Sequence, residues 1–265
     1  SRKRRDAFTM SGGIKSIKGR RGGKSLLKED IIIFTGSFGS GKTEIAINQS
    51  LEMLRNKERV ILVDLDIVNP YFRTRDKREK LAELGIEVIA PEGKLALADL
   101  PLISPEIKGT IQDSNRILLI DVGGDEVGAK ALASFNPVLK DTGYQLNMVI
   151  NPYRPFTRNA EQIQIMLKDI ELFSRLKING LISNPNLEEQ TDEKVITEGH
   201  NIVQEVSKKL DLPIRYLTIE KSLYQKIGRQ NITEEIVLIQ RFMELPWNES
   251  EVKWSINKNR RDLKN

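Results

Sequence analysis

The stretch that decides the fold is Gly36-Ser-Phe-Gly-Ser-Gly-Lys-Thr43, which fits the pattern G-x-x-x-x-G-K-[ST] at every fixed position. It follows the apolar run Ile31–Phe34 and precedes a helix-forming segment that starts at Thr43. A strand, a glycine loop and a helix in this order are typical of a phosphate-binding loop. Glycines let successive backbone N–H groups turn toward one anion, and the helix start adds unpaired donors. The stretch therefore predicts a nucleoside triphosphate site rather than an unliganded turn.

The residue types within this loop predict separate tasks. Lys42 would reach the β- and γ-phosphates, and the Thr43 hydroxyl would hold Mg²⁺. We expect the whole loop to contact the nucleotide: Gly36, Ser37, Phe38, Gly39, Ser40, Gly41, Lys42 and Thr43. A similar run at Gly22-Gly-Lys-Ser25 lacks both the spacing and a preceding strand, so we do not expect it to bind phosphate.

Length and composition favour one α/β domain with appendages. The 265 residues are 39% hydrophobic, which is enough to bury a sizeable core. No apolar run approaches the length of a transmembrane segment. The chain has no cysteine, which excludes disulfides, thiolate metal sites and thiol nucleophiles. Together with the lack of a signal-type apolar segment, this composition predicts a cytoplasmic protein.

Charge divides the chain into three parts. The net charge is +5, but residues 1–28 contain ten Lys/Arg and one acidic residue, so the remainder is net acidic. We predict a basic, flexible N-terminal tail at 1–28, a nucleotide-binding domain at 29–245 and a C-terminal tail at 246–265. The basic tail is either a solvated appendage or a contact for nucleic acid or another acidic partner.

Strands and helices alternate along the domain, which predicts a mostly parallel sheet with helices on both faces. Several strands are continuous apolar runs, as expected when both faces of the sheet are covered. The predicted strands after the first are Val60–Val63, Ile86–Ala90, Ile117–Ile120, Leu146–Ile150, Gly180–Ser183 and Pro213–Thr218. The predicted helices run from Thr43 to about Met53, over Arg73–Leu84, from Ser104, over Thr157–Leu176, from Thr191 to Leu210 and over Glu234–Glu244.

Acidic residues end two of these strands. Asp64 and Asp66 follow Val60–Val63, and Asp121 follows Ile117–Ile120. The carboxyl ends of parallel strands meet at one edge of the sheet, where ligands gather. Asp121 would therefore hold Mg²⁺ directly or through water. Side chains two positions apart on a strand share a face, so Asp64 and Asp66 could both approach the nucleotide. Asp64 is therefore a further candidate metal ligand. A helix cap or a surface carboxylate is the alternative for each acid.

In these motifs the chain resembles the MinD/ParA/nitrogenase-iron-protein group of P-loop ATPases, within the SIMIBI class. The resemblance covers about Asp30 to Ile239 and rests on the phosphate loop, on Val63-Asp-Leu-Asp66 and on Asp121-Val-Gly-Gly-Asp125. It implies an ATP- and Mg-dependent hydrolase with the P-loop NTPase fold. Asp66 would orient the attacking water, Asp121 and Gly124 would form the second switch, and Asn184 would contact adenine. No N-K-x-D motif follows, so guanine recognition has no visible basis.

The chain departs from that group at one position. Its members usually carry a second lysine immediately after the first glycine of the loop, where this sequence has Ser37. A dimer that closes face to face through that lysine is therefore in doubt. The basic cluster Arg73, Arg75, Lys77 and Arg78 is a candidate replacement, although we favour its interpretation as a solvated basic helix face.

Three functions compete on the sequence alone. The first, which we favour, is an ATPase that acts as a nucleotide-driven switch for an unidentified protein partner, with a homodimer as one candidate arrangement. The second is a kinase or ATP-dependent ligase acting on a small molecule or a polynucleotide end, as in enzymes similar to dethiobiotin synthetase or cobyrinate synthase. The third is a nucleic-acid-binding module, in which the basic tail binds and ATP regulates. No second cluster of catalytic acids or bases supports the kinase.

Overall fold

A computed structural model describes residues 30–56, 58–66, 78–90, 105–113, 116–227 and 232–242. The described strands are β1 Ile31–Thr35, β2 Val60–Leu65, β3 Glu87–Ile89, β4 Ile117–Val122, β5 Gln145–Ile150, β6 Gly180–Ser183, β7 Ile214–Glu220 and β8 Ile236–Ile239. The described helices are α1 Lys42–Arg55, α2 Arg78–Glu83, α3 Pro105–Gln112, α4 Glu126–Ala133, α5 Asn136–Thr142, α6 Ala160–Ser174, α7 Glu193–Leu210 and α8 Lys221–Ile227.

The strands form one sheet in the order β3-β2-β4-β1-β5-β6-β7-β8, and every described pair is parallel. The predicted fold class, an α/β protein with a parallel sheet, is confirmed. Strand β1 lies between β4 and β5, so the chain runs outward from β1 in both directions. In such a sheet the crevice beside the central strand is the expected ligand site, because the loops on either side separate there.

Helices cover both faces of the sheet, and the continuous apolar strands supply a core to each. In β1, Ile31 and Ile33 face the core shared with α3 to α7, whereas Ile32 and Phe34 face the core shared with α1 and α2. Every residue of β1 and β2 is buried. Successive side chains on a strand point to opposite faces, so a strand buried on both sides is apolar along most of its length, as Ile31–Phe34 and Val60–Val63 are.

Several predicted helix starts shift by one to three residues because of their caps. The structure begins α6 at Ala160, since the Asn159 side chain accepts a hydrogen bond from the Gln162 amide at 2.9 Å. Helix α7 is capped by Asp192 rather than by Thr191, which bonds instead to the preceding turn. Both caps satisfy helix donors that would otherwise be unpaired. Helices α4, α5 and α8 were not predicted.

The predicted helix Glu234–Glu244 is wrong. The structure places β8 there, with Val237 and Ile239 buried and Leu238 exposed, and pairs it in parallel with β7. Four consecutive residues with long or branched apolar side chains fit a pleated strand that covers the sheet edge better than a short helix. The remaining residues from Met243 onward lie outside the described residues.

The single histidine helps to fix this edge. His200 in α7 is buried, whereas the sequence suggests an exposed or partly packed position. Its Nδ1 lies 3.0 Å from the Ser183 hydroxyl, and its Nε2 lies 3.1 Å from a carboxylate oxygen of Glu234. Burial raises the pKa of Glu234, but hydrogen bonds from Gln204, His200 and Thr233 outweigh it and lower the pKa to about 2. Glu234 thus ties the start of β8 to α7.

The predicted boundaries at 28–29 and 245–246 stay predictions, because both tails lie outside the described residues. The sheet between Ile31 and Ile239 fits inside the predicted nucleotide-binding domain. Among the helices that the structure describes, none combines the length and the apolar character that a bilayer crossing requires.

Candidate functional site

The phosphate loop connects β1 to α1 and depends on glycine at three positions. Gly36, Gly39 and Gly41 have φ values of 140°, 72° and 94°, which residues with side chains rarely adopt. A Cβ on Gly36 would also collide with the Val149 carbonyl of β5. The loop is closed by a hydrogen bond of 3.1 Å from the Ser40 amide to the Ser37 carbonyl. These residues therefore hold the loop in the conformation that the motif predicts.

Lys42 lies at the start of α1 with its ammonium turned back into the loop. Its Nζ donates a hydrogen bond of 3.2 Å to the Ser37 carbonyl and lies 3.7 Å from a carboxylate oxygen of Asp66. The side chains of Lys42 and Asp66 are only 5% and 6% exposed. The structure thus brings the predicted phosphate cation and the predicted water-orienting acid together, although they lie 24 residues apart in sequence.

Thr43 and Asp121 form the second predicted pair. The Thr43 hydroxyl donates to Asp121 Oδ2 at 2.6 Å, joining the first turn of α1 to the end of β4. Burial is the main cause that raises the pKa of Asp121 to about 7. The Lys42 ammonium and the Thr43 hydroxyl lower this pKa, while the carboxylates of Asp64 and Asp66 raise it. The carboxylates of Asp64, Asp66 and Asp121 thus lie close enough to influence one another.

Asp64 lies beside Asp121 in the sheet, since β2 and β4 pair Asp64 with Asp121 in register. One oxygen of Asp64 accepts a hydrogen bond of 3.1 Å from the Asp66 amide, so Asp64 also shapes the turn that carries Asp66. Within the described ranges, His, Cys, Asp and Glu side chains nowhere gather in a group of three that would hold a metal ion. A metal at Asp64 and Asp121 would therefore need ligands besides carboxylates.

The predicted second switch lies against the loop. After β4, Gly123 and Gly124 turn the chain toward α4, and a Cβ on Gly124 would collide with the backbone of Gly36. Asp125 then caps α4, accepting a hydrogen bond of 2.7 Å from the Gly128 amide. A residue larger than glycine at 124 would push the phosphate loop and α4 apart. This close approach explains the glycine at position 124 of the Asp121–Asp125 motif.

Asn184 lies at the end of β6 and braces the loop from the other side. Its side-chain amide donates to the Ser40 carbonyl at 2.7 Å, and its side-chain oxygen accepts from the Thr218 hydroxyl at 2.6 Å. A Cβ on Gly41 would collide with this amide. Asn184 thus links the phosphate loop to β7, and its predicted contact with adenine stays a prediction.

Sequence reasoning missed Arg154, which lies in the loop after β5. Its Nε donates a hydrogen bond of 3.1 Å to the Gly39 carbonyl, and its guanidinium lies 3.5 Å from Glu188. The signal was available, because a cation that follows a strand of a parallel sheet lies at the ligand edge. Of the four basic residues that the sequence offered as a replacement cation, Arg73, Arg75 and Lys77 lie outside the described residues.

A cavity of about 410 Å³ opens next to Asn184, between the loops that follow β6 and β7. Thr218, which binds Asn184, lines it together with Pro185 and Leu223. Glu220 accepts a hydrogen bond from the Ser222 hydroxyl there and lies 3.4 Å from Arg241. The cavity has room for a planar heterocycle. Its lining residue Thr218 bonds to Asn184, which in turn bonds to the Ser40 carbonyl of the phosphate loop.

Three buried polar atoms at the loop have no hydrogen-bond partner among the described residues. They are the hydroxyls of Ser37 and Ser40 and the Oδ1 oxygen of Asp121. Buried polar atoms are nearly always hydrogen-bonded, since leaving one unpaired costs about 1–3 kcal/mol. Two hydroxyls and a carboxylate oxygen, beside the Lys42 ammonium, suit a ligand that carries phosphates and a cation.

No protein-family model matches the sequence, and no curated protein is significantly similar to it. Solved structures do match. The signal recognition particle receptor FtsY from Elizabethkingia anophelis, in complex with GDP, is 15% identical with a TM-score of 0.52, over 77% of this chain and 60% of that one. The cell division protein FtsY from Thermotoga maritima is 17% identical with a TM-score of 0.49, over 72% and 62%.

A third match is FlhF complexed with GTP and Mg²⁺, at 13% identity and a TM-score of 0.42, over 70% of this chain and 64% of that one. The chain thus spans about three fifths of the length of these structures. The similarity to FtsY from E. anophelis, together with the sheet and the loop, shows the P-loop NTPase fold. Similarity to the MinD/ParA group in particular stays a prediction.

Proposed function

We propose that the protein binds Mg·ATP at the loop Gly36–Thr43, hydrolyses it and acts as a nucleotide-driven switch for a protein partner. The observation that carries the proposal is the convergence of Lys42, Thr43 and Asp121, each buried, around unpaired polar atoms at the carboxyl ends of β1 and β4. A buried cation beside phosphate-binding amides suits a polyphosphate better than a neutral ligand.

The same residues fit Mg²⁺. Thr43 and Asp121 would hold it, and Asp64 would approach it directly or through water. Mg²⁺ prefers oxygen ligands, keeps several waters and is commonly held by one or two carboxylates plus the substrate phosphates. The unpaired Oδ1 of Asp121 and the neighbouring carboxylate of Asp64 fit this donor set. When bound, the ion neutralises charge on the phosphates.

We expect Thr43→Ala and Asp121→Asn to lower the Mg²⁺-dependent gain in ATP affinity about tenfold, while affinity in excess EDTA changes little. The metal ion and the Lys42 ammonium neutralise different parts of the triphosphate charge. Comparing affinities with and without Mg²⁺ therefore distinguishes the loss of a metal ligand from the loss of the lysine. Isothermal titration with ATP, with and without Mg²⁺, provides the comparison. Thr197→Ala, an exposed threonine in α7, is the control. An unchanged Mg²⁺ dependence in both site variants would remove the metal assignment.

For the base, we propose adenine, seated in the cavity beside Asn184. The lack of N-K-x-D supports this choice, because the aspartate of that motif would stand at position 187, where this chain has Leu187. The GDP and GTP of the similar structures are ligands of those proteins. A sequence identity near 15% supports a shared fold and does not assign a base to this chain.

We expect Mg·ATP to bind more tightly than Mg·GTP when the two compete for the protein. The measurement is displacement of a fluorescent triphosphate analogue by each nucleotide under the same Mg²⁺ concentration. Equal or tighter binding of GTP would overturn the adenine proposal and leave the phosphate site standing.

The proposed nucleotide-driven switch is based on two segments that contact the phosphate loop: the turn that carries Asp66 and the turn at Gly124. Asp66, close to Lys42, would orient the attacking water, and the Gly124 amide would sense the γ-phosphate because Gly124 packs against Gly36. Asp125, the next residue, caps α4, so movement of Gly124 would move the start of that helix. The two nucleotide states would then present different surfaces to a partner.

The partner surface that we propose adjoins this switch. A cavity of about 350 Å³ is lined by Gly124, Asp125, Asp169 and the exposed Phe156 and Ile165. Three acidic residues, Asp125, Glu126 and Asp169, lie beside an apolar floor, which suits a protein segment that places an apolar side chain next to a basic one. ADP production that requires an added small molecule or polynucleotide, with no basal turnover, would instead favour the kinase or ligase.

A further inference from the structure

Arg154 is the charged side chain near the phosphate loop for which neither the sequence motifs nor the proposed function assigns a task. Its backbone is fixed in a tight turn: the Arg154 amide donates to the Asn151 carbonyl at 3.1 Å. The Thr157 hydroxyl bonds to the same carbonyl at 2.8 Å and to the Arg154 carbonyl at 3.2 Å. The turn therefore holds the Arg154 side chain over the loop.

This turn is also joined to the loop that follows β6. The Asn151 side chain donates to the Asn186 carbonyl at 2.8 Å and accepts from the Asn186 amide at 3.2 Å. Glu188, two residues later, reaches the Arg154 guanidinium and lines the cavity proposed for the base. The guanidinium thus has a carboxylate on one side and the Gly39 carbonyl on the other, which fixes its orientation.

The effect on the phosphate loop follows from the planarity of the peptide bond. In a trans peptide the C=O and the following N–H point in opposite directions. Arg154 holds the Gly39 carbonyl outward and so directs the Ser40 amide inward, where it meets the Ser37 carbonyl. Asn184 holds the Ser40 carbonyl and so directs the Gly41 amide inward in the same way. Two successive peptide planes are fixed from outside the loop.

Glycine at position 39 makes the approach of Arg154 feasible. A Cβ there would lie 3.0 Å from Arg154 Nε, and Gly39 has a φ of 72°. The arginine side chain is 35% exposed, so its charge also acts on the mouth of the site. Ser37 leaves the loop itself with one lysine, Lys42.

We propose that Arg154 is a positioning residue of the phosphate loop, which fixes the Gly39–Ser40 peptide and adds positive charge where the triphosphate binds. This inference rests on the proposed function. Among the described residues, the Arg154 side chain bonds to Gly39 and Glu188 and to none of those proposed to orient water or hold Mg²⁺. It should therefore govern affinity and leave the chemical step unchanged.

The test compares Arg154→Ala, Arg154→Lys and Arg158→Ala, the last being an exposed arginine four residues further along the same loop. The probes are Mg·ATP and magnesium tripolyphosphate, measured by isothermal titration. Arg154→Ala should weaken both about tenfold, because tripolyphosphate engages the loop without a base. Arg154→Lys, which keeps the charge and a donor, should stay within about threefold of the original protein. Arg158→Ala should bind both probes as the original protein does.

Single-turnover hydrolysis of bound ATP and thermal unfolding complete the test. The rate should be unchanged in Arg154→Ala. A purely structural arginine would lower the unfolding temperature and the number of binding sites, leaving the Kd of the folded molecules unchanged. If Arg154→Ala and Arg158→Ala bind both probes with equal affinity, the role proposed for Arg154 is overturned, while the proposed function is unaffected. Failure of the original protein to bind either probe would overturn the proposed function, and this inference with it.

Discussion

Replacing Lys42 with alanine is expected to weaken Mg·ATP binding by roughly 100-fold, which corresponds to a loss of about 3 kcal/mol. The ammonium is buried between the Ser37 carbonyl and Asp66, and it is the cation of the loop itself. Its removal also takes away the positive charge that lies 3.7 Å from the Asp66 carboxylate and that lowers the pKa of Asp121, so these carboxylates would repel a triphosphate more strongly. Isothermal titration or displacement of a fluorescent analogue measures the loss.

Two companion variants make this result specific. Lys42→Met keeps most of the side-chain volume, so it separates the loss of charge from a packing defect in a buried position. Arg55→Ala removes an exposed charge from the other end of the same helix, α1, and should bind normally. Normal binding and hydrolysis in Lys42→Ala would mean that the glycine loop is structural.

The second large effect concerns hydrolysis. Asp66→Asn should bind Mg·ATP with nearly the original affinity and hydrolyse it about 100-fold more slowly. A positioned carboxylate that orients water contributes chiefly in the transition state, whereas the loop that binds the phosphates stays intact. Asp66 lies at the end of β2, and its carboxylate is within 3.7 Å of the Lys42 ammonium. Affinity and single-turnover rate, measured on the same variant, separate the two effects.

Asp66→Ala should slow hydrolysis at least as much, since it removes the side-chain oxygens altogether. If both variants keep the original rate and affinity, Asp66 has a structural role and the search moves to Asp64 or Asp125. Where basal turnover is too slow to measure, a higher protein concentration or a candidate partner provides the signal.

The phosphate loop was predictable because its residues act locally. Glycines at fixed spacing, an apolar strand before them and a helix after them define the loop without reference to the rest of the chain. The parallel sheet was predictable for a related reason: strands buried on both faces are apolar over most of their length, as Ile31–Phe34 of β1 and Val60–Val63 of β2 are. The meeting of Lys42 with Asp66 and of Thr43 with Asp121 followed from strand ends that share one edge.

The contacts that join one loop to another could not be predicted from local sequence patterns. Arg154 reaches Gly39 across 115 positions of sequence, and no spacing rule connects them. Asn184 was identified as a site residue, but its bonds to Ser40 and Thr218 depend on how β6 and β7 pair. The segment from Glu234 was mistaken for a helix because its pairing with β7, which decides its structure, is not a local property.

Hydrogen–deuterium exchange of the full chain, with and without a non-hydrolysable Mg·ATP analogue, tests the central claim most directly. The account predicts slower exchange at two places when the analogue is present: the amides of Gly36–Thr43, which would bind the phosphates, and those around Gly124. Amides of α5, on the other side of the core, should exchange as before. Unchanged exchange in the loop under saturating analogue, or protection confined to other segments, would contradict a triphosphate site at Gly36–Thr43.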